Sequence, residues 1–315
     1  MAIPDTLKTG LAFPAIAAPM FLVSGPELVI ATCKGGMIGT FPALNQRTTE
    51  GYAQWLDEIQ GALTPQDARF GVNMIVHPTN SRLMADMMVT VEKKVPLVIT
   101  SLGAVRDVVD AVHSYGGVVF HDITTVRHAE KAAEAGVDGL ILVCNGAGGH
   151  AGTYNPFALL GEIRQWYTGT IVLSGCLSSG SDVAAALMMG ADLAYMGTRF
   201  IATQEALASD GYKDMLTESS AKDIVYTPAI SGVPASFLLP SLESHGITKG
   251  MLKDMTTKID MDHEMSDEAK AWKTLWSAGQ GTGNVRDVPT ASALISRLKN
   301  EFSQATQRFA QNSIV

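Results

Sequence analysis

"EAGVDGLILV" (134–143) and "MMGADLAYMG" (188–197) are one phrase written twice. Each starts where a helical pattern ends, passes a glycine and an aspartate, and enters a short apolar run. A glycine just past the last helical turn is a C-terminal stop. An apolar run without alternation is how a parallel strand reads when both its faces are buried. A repeated passage from helix end to strand predicts a chain assembled from such units.

Working outward, six more runs fit the pattern: "AIAAPM" (15–20), "GMIGTF" (36–41), "FGVNMIV" (70–76), "PLVITS" (96–101), "GVVFHD" (117–122) and "TIVLSG" (170–175). With "GLILVC" (139–144) and "LAYMGT" (193–198) they make eight. Helical patterns separate them, among them "SRLMADMMVTVEKK" (81–94), "VRHAEKAAEAG" (126–136) and "GSDVAAALMMG" (180–190). Eight strand–helix units predict an α/β fold, a (β/α)8 TIM barrel. A doubly wound open sheet is the alternative, but the count favours closure. After residue 200 the pattern changes. Residues 205–285 are mixed, helical and Met-rich, with no clear strands. They read as a smaller, mostly helical substrate or lid domain. The barrel then takes residues 1–204 plus 286–315, whose "TASALISRLKNEFSQATQRF" (290–309) reads as a packing or dimer helix.

Composition narrows the function. The chain has 315 residues, 46% hydrophobic and 17% charged, with a net charge of −8. That balance excludes broad binding to nucleic acid or anionic membrane, which needs a basic surface. No stretch approaches ~20 apolar residues, so no membrane span is expected. The opening "MAIPDTLKTG" lacks the layout of a signal peptide, which points to the cytoplasm. Cys33, Cys144 and Cys176 are too few and scattered for a disulfide framework or a zinc site. No His/Asp/Glu cluster has metal-ligand spacing, and no metal is expected.

A (β/α)8 barrel carries its site at the C-terminal ends of its strands. That rule selects Pro19, Met20, Thr40, Asn73, Thr100, Ser101, His121, Asp122, the 144–153 loop, Ser174, Gly175, Gly197 and Thr198. "SGCLSSGSD" (174–182) and "MGT" (196–198) each follow a strand and open a helix. Backbone N–H groups and helix dipoles there make a phosphate cradle. The same glycines would also serve if they only permit tight turns. His150 stands at the end of a glycine-rich loop, "NGAGGHAG" (145–152). It is either a solvated loop histidine or a base, since imidazole takes a proton near neutral pH. His121, beside Asp122, is a second polar contact or a structural residue. His77, His113, His128, His245 and His263 have no supporting pattern and read as surface or packing residues. Cys144 and Cys176 lack a base partner and read as small packing residues. "LWSAGQGTG" (275–283) reads as a loop, or as a segment returning over the mouth with Gln280 free to bond.

Taken in order, "PAIAAPM" (14–20), "NGAGGHAG" (145–152), "SGCLSSG" (174–180), "GADLAYMGTRFIAT" (190–203) and "WSAGQG" (276–281) resemble the nitronate monooxygenase family, formerly 2-nitropropane dioxygenases. The likeness covers nearly the whole chain. It implies a flavoprotein: an FMN-binding TIM barrel with a smaller helical substrate domain and no metal. The implied activity is oxidation of alkyl nitronates, with nitroalkanes as further substrates, by O2 to a carbonyl compound and nitrite. The implied FMN contacts are Ala18, Pro19 and Met20 against the isoalloxazine, Asn73 at the flavin, and Gly148 and Gly149 clearing space beside it. Ser174, Gly175 and Gly180 after strand seven, with Met196, Gly197 and Thr198 after strand eight, would hold the phosphate. Gly279 and Gln280 would return near the flavin. His150 would be the base for a neutral nitroalkane. A small-molecule substrate and O2 are the implied partners; NAD(P)H and a homodimer stay open. The same barrel carries FMN-dependent enoyl-acyl-carrier-protein and NADH:quinone reductases, so an NAD(P)H-dependent reductase of quinones or enoyl thioesters is the alternative. The chain departs from the family at Val143, Cys144 and Gly146, where many members carry Gln or Asp with Gly and then Glu. It departs again at Asp122, where some carry lysine.

Overall fold

The eight apolar runs become parallel strands in a computed structural model that describes residues 2–103, 106–230, 232–253 and 274–311. They are β1 (Ala15–Ala17), β2 (Ile38–Pro42), β3 (Phe70–Ile75), β4 (Leu97–Ser101), β5 (Val118–Ile123), β6 (Gly139–Val143), β8 (Thr170–Ser174) and β9 (Leu193–Met196). A two-residue strand, β7 (Gly149–His150), falls between β6 and β8 and lies outside the barrel. The eight pair in the order β1-β2-β3-β4-β5-β6-β8-β9 and close, with Ile16 opposite Tyr195 across the seam.

The aspartates explain why the opening phrase repeats. The Asp138 N–H donates to the Val119 carbonyl at 2.8 Å, and its Oδ2 accepts from the Val119 N–H at 2.8 Å. Asp192 treats Ile171 the same way, at 2.7 and 2.9 Å. Each aspartate, standing just before its own strand, clamps the start of the neighbouring strand. Asp192 is buried, and Arg164 Nη2 at 2.6 Å and the Ala2 N–H at 2.6 Å complete its coordination. A buried carboxylate is tolerable only with such donors.

Strand period sends alternate side chains inward. Ile16, Ile38, Leu97, Ile99, Phe120, Ile141, Val172, Leu193 and Tyr195 fill the interior, and Ile3 and Leu7 near the N-terminus join them. A Cβ at Gly139 would stand 2.6 Å from the Phe120 ring, so glycine there makes room for it. Helix Val126–Ala135 stops at Gly136 in the left-handed conformation, φ 89°, as the sequence signals.

Past β9 the structure corrects the sequence reading. Two strands, β10 (Ile224–Thr227) and β11 (Ala235–Leu238), lie where no clear strand was expected. They pair antiparallel, and β11 also pairs with β7, placing Ala235 opposite His150. Each is only four residues long, too short for alternation to show. Their order comes from partners distant in sequence, which local pattern does not report. Helices Asp210–Glu218 and Leu239–Ser244 flank this small sheet in the chain. Helix Ala291–Gln311 packs on helices Gly180–Met188 and Pro26–Lys34, burying Leu294, Ile295 and Leu298. His263 lies outside the described residues. Among the described residues no helix is long and apolar enough to cross a membrane.

Gly180 sits at the tightest helix crossing. A Cβ there would stand 1.9 Å from the Leu298 carbonyl oxygen and 2.5 Å from the Phe302 nitrogen. Both are backbone atoms that cannot swing aside. Gly180→Ala is therefore expected to cost about 1–3 kcal/mol through overpacking. A thermal melt of the variant checks this; an unchanged midpoint would refute the crossing.

Candidate active site

Four loops meet at the C-terminal mouth of the barrel, and the segment 276–282 ties three of them together. The Gly279 N–H donates to Thr198 Oγ1 at 2.9 Å, just past β9. The Gln280 N–H donates to the Gly146 carbonyl at 2.8 Å, in the loop after β6. Ser178 Oγ, in the loop after β8, donates to the Gly281 carbonyl at 2.9 Å. Gly148 and Gly279 touch backbone to backbone: a Cβ on Gly148 would lie 2.9 Å from the Gly279 nitrogen, and one on Gly279 2.6 Å from the Gly146 oxygen. Only glycine allows this approach at both positions.

The same segment is anchored outward. Trp276 stacks on Tyr212, with centroids 5.0 Å apart and planes 8° from parallel. The Tyr212 hydroxyl donates to the Ser277 carbonyl. Ser277 Oγ accepts from the Gly149 N–H at 2.8 Å and donates to the Ser236 carbonyl at 2.6 Å. Gly149 and His150 are thus held between the returning segment and β11. The loop after β1 is fixed by one side chain. Asn45 Nδ2 donates to the carbonyls of Met20 at 3.1 Å and Ser24 at 2.8 Å, and its Oδ1 accepts from the Leu22 N–H at 2.8 Å. The Ala18 N–H donates to the Met196 carbonyl at 3.0 Å, which ties this loop to the last strand.

Leu22, Leu102 and Cys176, in the loops after β1, β4 and β8, adopt left-handed backbone with φ of 59°, 65° and 61°. Non-glycine residues hold that conformation at a cost of order 1–3 kcal/mol each, and such strain collects at functional sites. Cys176 Sγ occupies the space where a Cβ on Gly146 would fall, 2.3 Å away. That contact gives the glycine at 146 a physical reason.

Below the rim the inward positions turn polar. Asn73 Nδ2 donates to Ser101 Oγ at 2.7 Å, and Ser101 Oγ donates to Asp122 Oδ2 at 2.6 Å. Asp122 Oδ1 and the Tyr195 hydroxyl are sealed from solvent and have no hydrogen-bond partner among the described residues. Burial pushes the Asp122 carboxyl from its ordinary 3.8 up to about 6, with the Ser101 bond opposing the rise. Burial, then the Asp122 charge, holds the Tyr195 phenol well above its usual range. His121 takes no part. Phe120 points inward, so its neighbour faces the outer helices, where Thr100 Oγ1 lies 2.7 Å from Nδ1. Burial, then the nearby His128 charge, lowers its pKa to about 4. His121 is structural, and Asp122 is the strand-five residue that faces the barrel interior at the mouth.

Most of the expected site assembles. Ala18, Pro19, Met20, Gly148, Ser174, Gly175, Met196, Gly197, Thr198, Gly279 and Gln280 lie around one rim, with Asn73 in the wall beneath it. Gly180 does not join them: its N–H donates to Glu301 Oε2 at 2.7 Å. Asp182 Oδ2 accepts from the N–H groups of Ser178 and Ser179 at 2.9 and 2.8 Å. Two carboxylates therefore occupy the start of helix Gly180–Met188 and repel an anion there. The residues nonetheless fit a flavin. Beside Gly149, φ 68°, no described heavy atom lies within 4 Å of a built Cβ, so the cradle is open. The unpartnered polar atoms below suit a polar ring edge. A phosphate would be left the backbone of Gly175–Cys176 and Gly197–Thr198. Sequence reading missed Tyr195, whose only signal is its inward parity with Ile16.

Known proteins share this chain's fold and family. The family model described as nitronate monooxygenase matches residues 77–301. A nitronate monooxygenase of Paraburkholderia phytofirmans is 26% identical, over 96% of this chain and 95% of its own. A 5-hydroxy-7a-methyl-1-oxo-octahydro-indene-4-carboxyl-CoA dehydrogenase of Rhodococcus jostii is 28% identical, over 79% of this chain and 71% of its own. The structure of a nitroalkane oxidase from Streptomyces ansochromogenes superposes with a TM-score of 0.81 at 26% identity, covering 97% of this chain and all of the other.

The raised Asp122 pKa has a stability consequence. A carboxyl whose folded pKa lies above its unfolded value stabilises fully below the unfolded value, and that contribution is lost as pH rises to about 6. Asp122→Asn cannot ionise. Between pH 4 and pH 8 it should gain about 1–2 kcal/mol on the wild type, the full shift being discounted for partial exposure. Urea unfolding at both pH values measures it; a constant difference would place the titration elsewhere.

Proposed function

The chain belongs to the nitronate monooxygenase family and is a flavin-dependent oxidoreductase, and on that premise we propose that it uses FMN to oxidise alkyl nitronates with O2 to a carbonyl compound and nitrite. The observation that carries this reading is the meeting of three separate motifs on one barrel mouth, held there by a fourth, residues 276–282. FMN, when bound, would supply the redox chemistry between substrate and O2. The rest falls to the protein. Ala18, Pro19 and Met20, on a loop fixed by Asn45, would support the ring. Gly148 and Gly149 would leave space beside it for the substrate. His150, carried on β7, would take the α-proton of a neutral nitroalkane; a nitronate arrives without that proton.

A second reading has one observation behind it. The Rhodococcus jostii relative is a dehydrogenase of a CoA thioester. On that reading the small sheet would receive an acyl-CoA thioester, with NAD(P)H as the electron donor and an enoyl thioester or a quinone as the acceptor. Anaerobic NAD(P)H addition separates the two, because rapid bleaching of the flavin favours a reductase.

Two outcomes are expected of the yellow, FMN-loaded protein. Ethylnitronate under air should be consumed with oxygen uptake and nitrite release; the absence of both would overturn the leading reading. His150→Ala should keep its FMN and lose about 100-fold or more on a neutral nitroalkane, the usual weight of a general base, and far less on the nitronate. Equal losses on both substrates would make His150 a binding residue instead.

A further inference from the structure

Asp122 is the one strand-five side chain that enters the barrel at the level of the site. Its two oxygens are treated differently. Oδ2 is tied to Ser101, which is tied in turn to Asn73. Oδ1 has no partner among the described residues, is shut from solvent, and shares that condition with the Tyr195 hydroxyl. Two unsatisfied polar atoms in a barrel interior cost free energy unless something bound at the mouth completes them. The surroundings are otherwise plain. β4 presents Ser101, β3 presents Asn73, β6 presents Ile141 and Val143, and the titratable group that faces Asp122 is Tyr195 of β9.

We propose that Asp122 is an acid–base group of this site, exchanging a proton at Oδ1 with the polar edge of the ligand seated on the mouth. The inference rests on the flavin reading of that mouth. The pair suits an edge that alternates between neutral and anionic. With its proton, Oδ1 donates to that edge; the Oδ1–H bond then breaks, and the proton passes to a basic atom of the ligand. The carboxylate left behind keeps the Ser101 hydroxyl on Oδ2, and the Tyr195 hydroxyl remains as a second donor. The pyrimidine edge of an isoalloxazine, which gains negative charge on reduction, is of this class. In Asp122 this chain places at that edge a group whose charge follows pH. The ordinary carboxyl range would keep Asp122 ionised throughout neutral pH, but its burial brings the change to about pH 6.

The test is a pH titration of the visible spectrum and the reduction potential of the FMN-loaded full chain, from pH 5 to pH 8. The wild type is expected to show one ionisation near pH 6 in both signals. Asp122→Asn should remove it, and His150→Ala should keep it. Ser101→Ala, which withdraws the donor on Oδ2, should move the midpoint to higher pH. No ionisation in the wild type, or the same ionisation in Asp122→Asn, overturns the proposal. If Asp122→Asn does not fold or load FMN, an unmoved midpoint in Ser101→Ala overturns it. Neither signal requires a nitronate, so failure of nitronate turnover leaves this result intact and separately readable.

Discussion

The register in which β1 meets β9 is the constraint on which the rest of this molecule depends. Ile16 stands opposite Tyr195, and that one pairing turns an open sheet into a closed barrel. Closure gives every strand an inside, and the two-residue period then decides which side chains share it. The lower positions are aliphatic and aromatic and make a packed core. The upper ones are Asn73, Ser101, Asp122, Ser174 and Tyr195, and they make the floor of a site. A slip of one residue at the seam would turn Tyr195 outward and leave Asp122 facing a different neighbour.

Barrel and mouth were largely legible in the sequence because both rest on local signals. Parallel strands buried on both faces read as apolar runs, and the helices between them end on glycine. The repeated aspartate was visible as a pattern, but its clamp on the neighbouring strand required the structure. Three features escaped. The strands β10 and β11 are four residues each and owe their order to β7, far upstream. Gly180 looked like a phosphate glycine because it opens a helix after strand seven; a helix contributed by residues 291–311 lies against it instead. His121 and Asp122 looked equivalent as adjacent strand-end residues. Only their parity with Phe120 shows that one faces the helices and the other the site.

The mouth combines rigidity with strain. Asn45 locks the loop after β1, and the Trp276–Tyr212 stack anchors the returning segment. Yet Leu22, Leu102 and Cys176 hold left-handed backbone beside them. The surrounding hydrogen bonds over-determine these loops, which is what lets the strain persist. Cys176 shows how two loops share one space. Its thiol, in the loop after β8, fills the place that a side chain at residue 146 would need.

His150 stands on β7, and β7 belongs to the small sheet rather than to the barrel. The barrel wall and the imidazole are therefore set by different elements. Substitutions in β10 and β11 would act on His150 through its pairing with Ala235, while the strands of the wall keep their own register.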